Sequence, residues 1–344
     1  MMIFFLILMF VGMIDPVFAQ SSDSSLKATA VPIPGGEGGI GFDDLVFSSE
    51  LHKVLAPAGH TGKLYLIDPA TFMMTSIGGF SSSAEFQKGH EVGISSADEG
   101  EGFIFVADHG SHQLDAVDVK TEKVVANAPL AADGDIIRYV GIDHEVWVTQ
   151  PDDKDKKQIE VFSFTAGDKP VLSHSMFISV PDGPESLTID RTHQRAYTNL
   201  GKYAAVIDLK THAVTASWPN SCERSRGTAV DEGKNFLIVA CGEGKAVVFD
   251  LNKDGKQFGS LTTGPGADLV DYNPSLSHFY ITGSKNATLS VLGVSSAGEL
   301  SLLGVGQAAN RAHCVTGDDQ NNIWVCDPHH GQLLRYKDIF QKVN

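Results

Sequence analysis

The amino-acid sequence predicts an all-β protein, a seven-bladed β-propeller whose blades are four-stranded antiparallel sheets. Short strands with apolar residues at every second position follow one another across tight turns. A similar unit recurs seven times with a period of about 41 to 48 residues, which is typical of propeller blades. No helical period competes with this pattern, so a helical or mixed fold is not favoured.

The N-terminus is typical of a secretory signal peptide. Residues 2–14 are apolar without interruption, and the small residues Val17 and Ala19 precede Gln20. We therefore expect cleavage after Ala19, with residues 1–19 removed. An uncleaved membrane anchor is the alternative, although the run is shorter than the roughly 20 residues of a membrane span. Cleavage would place the protein in the periplasm or outside the cell, with no remaining span.

Composition limits the function classes. The formal net charge is −16, and a chain without a basic stripe cannot neutralise the phosphates of a nucleic acid. An exported chain permits disulfides, and the four cysteines are an even number. We expect a soluble monomer that binds no nucleic acid.

The clearest unit spans residues 183–218, where a strand ending at Asp190 is followed by "RAYTNL", "AAVIDL" and a last strand across polar turns. Residues 20–39 are expected to contain a polar leader and an orphan strand. Residues 40–344 are expected to form one propeller. The last unit lacks a convincing fourth strand, so we expect the orphan segment 26–33 to complete it and remove an open edge. In chain order, the seven units are 42–77, 89–125, 138–164, 183–218, 225–261, 266–294 and 312–336.

The motifs "LYLIDP", "AVDVKT" and "VIDLKT" resemble the blade ends of the YVTN/YncE-like family of exported seven-bladed propellers. The resemblance covers essentially residues 40–337. It implies the same fold, and it favours binding over catalysis because that family is not defined by a catalytic motif. Fold-level likeness says little about the function itself.

Aligning the first strand of each unit brings out a set of polar side chains. In a propeller this strand lines the central channel, so equivalent residues should form a ring at one mouth. All members of the predicted ring are ionisable: Asp43, His90, Arg138, Glu185, Arg226, Asp268 and His313.

Blade seven neighbours blade one, so His313, Asp43 and His90 should be adjacent. Two imidazoles and a carboxylate suit Zn, Cu or Fe, and His60 on a nearby loop could supplement them. Across the ring, Arg138 and Arg226 could hold a small carboxylate or phosphate.

Other predicted ligand-binding residues are Glu185, Asp268 and the loop residue Asn199. The alternative is a water-filled channel in which pairs such as Asp43 with His90, or Arg226 with Asp268, are only structural.

Strand alternation separates the two cysteines of the last unit from the ring. If the turn centres on Gln320, Cys314 faces Cys326 within reach of a disulfide. Cys222 and Cys241 lie near the same face and form a second candidate bridge. A thiolate metal ligand is the alternative for these cysteines.

Three functions follow from this ring. The first is an exported propeller that binds a metal ion or a small anionic ligand, or presents this face to a partner protein. The second is a metal-dependent lyase or lactonase of the streptogramin-lyase or gluconolactonase kind, in which His109 or His330 acts as general acid or base. The third is an interaction scaffold without a ligand. The sequence contains no motif that fixes a reaction.

Overall fold

In the computed structural model, which describes residues 26–84, 86, 89–90, 92–151 and 157–344, the chain forms seven four-stranded antiparallel sheets. The N-terminal strand β1 (Thr29–Pro32) pairs with the last strand β28 (Gln332–Lys337), with Val31 opposite Leu333. The first strand of the chain therefore closes the last blade, as predicted. The predicted signal peptide and its cleavage site lie outside the described residues.

Each of the first six blades is a meander of consecutive strands, and the seventh combines three C-terminal strands with β1. The strands of blades one to four are β2 Val46–Ser48, β3 Lys53–Pro57, β4 Leu64–Ile67, β5 Met74–Ile77, β6 Ile94–Gly100, β7 Phe103–Asp108, β8 Gln113–Asp118, β9 Lys123–Pro129, β10 Ile137–Val140, β11 Glu145–Gln150, β12 Gln158–Thr165, β13 Val171–Ser179, β14 Thr188–Asp190, β15 Arg195–Leu200, β16 Tyr203–Asp208 and β17 Val214–Pro219. Those of blades five to seven are β18 Ser225–Asp231, β19 Phe236–Cys241, β20 Lys245–Asp250, β21 Lys256–Thr262, β22 Val270–Asn273, β23 His278–Gly283, β24 Thr288–Val294, β25 Leu300–Gln307, β26 Val315–Gly317, β27 Asn322–Asp327 and β28.

Helical structure is confined, within the described residues, to two short 3₁₀ turns, Leu251–Lys253 and Pro328–His330. No helix in the described part of the chain is long and apolar enough to cross a membrane.

Aspartates at or directly after the end of the third strand in blades one, two and four account for a motif that these units share. In each case the carboxylate accepts a hydrogen bond from the backbone amide three residues later and so fixes the turn. The amide of Thr71 donates to Asp68 at 2.9 Å, that of Thr121 to Asp118 at 2.7 Å, and that of Thr211 to Asp208 at 2.8 Å. The "Asp-x-x-Thr" spacing is therefore a structural feature of the blade.

The hydrophobic core lies between neighbouring blades, where the apolar faces of adjacent sheets meet. Residues of the two inner strands are buried throughout most blades, as in β7, β11, β19 and β23. The outermost strands alternate between exposed and half-buried residues, as in β21. Burial on both faces of the inner strands leaves the channel and its two mouths as the places where polar side chains converge.

Candidate functional site

Seven polar side chains gather at one end of the channel, hereafter the upper mouth, on the side where the second strand of each blade turns into the third. Five of them lie just ahead of the first strand of their blade, while Arg226 belongs to β18 and His90 to the connection before β6. Six line one cavity of about 270 Å³, and His313 lines an adjoining cavity of about 340 Å³ that also contacts His90 and Asp268. The members of this ring are Asp43, His90, Asp135, Glu185, Arg226, Asp268 and His313.

One predicted member, Arg138, does not belong to the ring, and Asp135 takes its place. Blade three has Val140 where blade four has its strand-terminal Asp190. The sequence alignment used the later Asp143 instead, which lies in the turn, and so shifted the blade by three residues. Arg138 lies at the other end of the channel, where its Nη1 donates to Asp44 Oδ2 at 2.8 Å.

A close approach of two backbone segments positions His90. A Cβ atom at Gly41 would lie 1.9 Å from the carbonyl oxygen of Gly89 and 3.0 Å from the Cα of His90. Only glycine fits at Gly41 without moving this connection. Because Gly41 has no side chain, His90 can lie against Asp43, which follows Gly41 by two residues.

His90, Asp43 and His313 each offer one potential ligand atom, and these three atoms lie within 4.8 Å of one another. His90 Nδ1 lies 2.9 Å and His313 Nε2 3.8 Å from Asp43 Oδ1. The two imidazole rings are 6.0 Å apart at an angle of 75°. The predicted adjacency of these three residues across the junction of blades seven, one and two is present in the fold.

The hydrogen bonding of His313 directs its other nitrogen into the group. His313 Nδ1 lies 2.7 Å from the carbonyl oxygen of Arg311, which can only accept, so Nδ1 carries the proton. Nε2 then has its lone pair free in the neutral ring. Within the described residues Nε2 is buried and has no hydrogen-bond partner, and the same holds for Asp43 Oδ2. Two buried acceptor atoms without donors are costly unless a cation or a donor satisfies them.

Electrostatics keeps Asp43 ionised. Its side chain is 7% exposed, and burial alone would raise the pKa of its carboxyl. The neighbouring imidazoles of His90 and His313 outweigh burial and hold the pKa of Asp43 at about 2. By contrast, burial outweighs His313 and Arg226 at Asp268 and raises the pKa of that carboxyl.

The opposite side of the ring is an ion-pair network. Arg226 Nη1 pairs with Glu185 Oε2, and it lies 3.9 Å from Asp268 Oδ1. Among the described residues, the 270 Å³ cavity is lined by four carboxylates and one guanidinium, that of Arg226, which is already paired, while Arg311 lines the adjoining 340 Å³ cavity. The prediction that Arg138 and Arg226 together hold an anion at this mouth is therefore wrong, because Arg138 lies at the other end of the channel.

The loop residues predicted to join the ring do not line its two cavities. His60 is buried against Phe86, with its ring 5.9 Å away, and burial lowers the pKa of its imidazole. His109 donates through Nε2 to the carbonyl oxygen of Gly134. Asn199 donates to the carbonyl oxygens of Arg226 and Gly227.

His330 is 72% exposed and pairs with Asp327 at 2.9 Å. Like His60, His109 and Asn199, it is absent from the lining of both upper cavities. Catalytic roles for His109 and His330, and a metal-ligand role for His60, therefore gain no support from the geometry.

Both predicted disulfides are present. Cys314 and Cys326 are bonded with Cα atoms 5.6 Å apart, and Val315 and Thr316 pair with Val325 and Trp324 as the register predicts. Cys222 and Cys241 are bonded with Cα atoms 5.3 Å apart. Two disulfides indicate an oxidising compartment outside the cytoplasm. No cysteine within the described residues is free to ligate a metal.

Comparison with known proteins supports the fold and nothing finer. No family model matches the chain, and no curated protein matches it. Among solved structures, it is similar to a chain of a mitotic checkpoint complex, with a TM-score of 0.73, 12% identity, and coverage of 98% of this chain and 99% of that one. It is also similar to Kuenenia stuttgartiensis hydrazine synthase (TM-score 0.69, 11% identity, 94% and 99% covered) and to streptogramin B lyase (0.68, 11%, 92% and 99%). At these identities the likeness extends to the propeller fold alone.

Proposed function

We propose that this protein binds a divalent transition-metal ion at the upper mouth, through His90, Asp43 and His313. The observation that carries the proposal is the orientation of His313. A metal-ligating histidine usually donates its other ring nitrogen to a carbonyl or carboxylate. His313 donates through Nδ1 to the carbonyl oxygen of Arg311, while its Nε2 lies 3.8 Å from Asp43 Oδ1 and has no hydrogen-bond partner among the residues that the structure describes. Two imidazoles and one carboxylate suit Zn²⁺, Cu²⁺ or Fe²⁺.

The charges around the group favour a cation over an anion. The carboxylates of Asp135, Glu185 and Asp268 line the 270 Å³ cavity together with that of Asp43. The guanidinium of Arg226 is paired with Glu185 and Asp268. A carboxylate or phosphate ligand would have to approach these groups against repulsion, whereas a bound cation would reduce it. A small anionic ligand is therefore not favoured at this mouth.

Elemental analysis of protein purified without a histidine tag, together with Zn²⁺ and Cu²⁺ titration calorimetry, tests the proposal. Stoichiometric metal that is lost in both His90→Ala and His313→Ala is expected, while the matched control His330→Ala should retain it because that side chain lies outside the group. Affinity should also weaken below about pH 6, since a ligating imidazole must be neutral. Absence of metal in the wild type, with no heat on titration, would refute the site.

A metal-assisted lyase or lactonase is the second candidate. The observation that favours it is the 270 Å³ cavity beside the three residues, which has room for a small substrate and is lined by the carboxylates of Asp135, Glu185 and Asp268. A bound metal ion would supply Lewis-acid polarisation there. Turnover of lactones and of lyase substrates without a carboxylate by the metal-loaded protein, lost in His313→Ala, would distinguish an enzyme from a metal carrier.

Export and family membership belong to the same proposal. The repeated strand-terminal aspartates and the two disulfides support an exported propeller of the YVTN/YncE-like kind. Expression in a secreting host, followed by N-terminal sequencing, should give a mature chain that begins at Gln20. A chain that stays in the membrane with residues 1–19 attached would favour an anchor.

A further inference from the structure

The lower mouth, at the opposite end of the channel, contains a second and larger space. Two cavities of about 510 and 780 Å³ adjoin there and share much of their lining. Small-molecule sites occupy about 300 to 1,000 Å³ and combine apolar walls with a few polar groups. The shared wall includes the apolar side chains of Val46, Phe47, Leu187 and Val270.

Arg138 provides a fixed positive group on this wall. Its Nη1 donates to Asp44 Oδ2 at 2.8 Å and to the carbonyl oxygen of Ile137 at 2.6 Å. The side chain is 22% exposed, and no hydrogen bond within the described residues uses its Nε or Nη2. These remaining donors have the spacing that recognises a carboxylate through two parallel hydrogen bonds.

Two carboxylates lie near this guanidinium, and both are held by the blade that follows them. Asp98 Oδ2 accepts from the amide of Tyr139 at 2.7 Å, and Asp271 Oδ2 accepts from the amide of Gly317 at 2.6 Å. Arg138 interacts electrostatically with both of them. The lower mouth therefore presents fixed charges of both signs next to apolar side chains.

We propose that the lower mouth binds an α-amino acid with an apolar side chain, as its zwitterion. The carboxylate would pair with Arg138, the ammonium group with Asp98 or Asp271, and the side chain would pack against Phe47 and its neighbours. A simple anion would meet the carboxylates of Asp44, Asp98 and Asp271, and a simple cation would meet the guanidinium groups of Arg138 and Arg191, which line both cavities. A ligand with both charges avoids both conflicts.

Calorimetry and thermal melting with L-leucine and L-phenylalanine test this proposal on the full mature protein. Binding of at least one amino acid with a rise in Tm is expected. Two analogues of leucine, 4-methylpentanoate and isoamylamine, each lack one charged group and should bind about tenfold more weakly or not at all. Equal binding of either analogue would overturn the zwitterion model.

Variants locate the ligand. Asp271→Asn keeps an oxygen that can accept from Gly317 but removes the charge, and Phe47→Ala removes apolar contact, so each should weaken leucine binding about tenfold. His330→Ala, outside both mouths, should leave it unchanged. No binding by the folded wild type, or binding equal in wild type, Asp271→Asn and Phe47→Ala, would refute the proposal. Neither result would bear on the metal site, which is measured separately by metal content.

Discussion

The two mouths of the channel differ in chemistry, although adjacent residues of the chain supply both. Asp43 lies in the narrow upper mouth among carboxylates and imidazoles, and Asp44 lies in the wide lower mouth, paired with Arg138 beside apolar walls. Successive side chains of an extended chain point in opposite directions. One step along the sequence therefore changes the mouth, the partner and the kind of ligand that a carboxylate can recognise.

Substituting the two aspartates in turn gives the largest expected effects. Asp44→Ala leaves Arg138 without its carboxylate, so the free energy of unfolding in urea should fall by about 3 to 5 kcal/mol while Zn²⁺ binding in the folded fraction is kept. Asp43→Asn should reduce Zn²⁺ affinity by more than about 100-fold, with a smaller loss of unfolding free energy of about 2 kcal/mol. Similar effects on both readouts from both variants would show that the two mouths are not independent.

Removing the disulfide of blade seven should come next in size. Cys314 directly follows His313, and its bond to Cys326 ties the start of β26 to β27. The double variant Cys314→Ser/Cys326→Ser should lose about 2 to 4 kcal/mol of unfolding free energy and also weaken Zn²⁺ binding. The matched variant Cys222→Ser/Cys241→Ser should lose comparable stability with metal affinity unchanged. Equal loss of metal affinity in the two double variants would mean that general destabilisation of the fold, rather than displacement of His313, is responsible.

In the metal-free protein, the aspartates of the two mouths should change the free energy of unfolding with pH in opposite directions. The pKa of Asp43 is lowered from 3.8 to about 2. The contribution of this carboxylate to the free energy of unfolding is therefore complete above about pH 4 and is lost as the pH falls toward 2. The loss is about 2 kcal/mol, visible in urea unfolding as a function of pH and absent in Asp43→Asn.

Burial raises the pKa of Asp98 and Asp271 in the lower mouth. Folding shifts the protonation of these two carboxyls to higher pH, so their contribution to the free energy of unfolding falls as pH rises above their pKa in the unfolded chain. Asp271→Asn should therefore reduce the loss of stability with rising pH. A steeper loss in this variant would contradict the assignment.

The smallest expected effect comes from the glycine that positions His90. A methyl group in Gly41→Ala would collide with the carbonyl oxygen of Gly89, so the connection must move and carry His90 away from Asp43. Zn²⁺ affinity should fall about tenfold, or about 1.4 kcal/mol, as measured by calorimetry. Gly78→Ala, where a Cβ would meet nothing within 4 Å, is the control and should bind as the wild type does.

The sequence by itself determined the architecture, because strand alternation, tight turns and the repeat are local properties. Seven blades, closure by the N-terminal strand, and the pairing of Cys314 with Cys326 follow from period and register. The junction of His313, Asp43 and His90 follows from the circular order of the blades. These inferences require only the order of strands and the residue opposite each one.

Only the tertiary structure decided which polar side chains share a mouth and which are already paired. Asp135 replaced Arg138 because the first strand of blade three ends at Val140, where those of blades four and five end at Asp190 and Asp231. His109 and Asn199 are bonded to backbone carbonyls of the next strand or connection, which no spacing in the sequence reveals. The direction of a side chain at a strand end depends on contacts between distant residues, and those contacts exist only once the blades have packed around the channel.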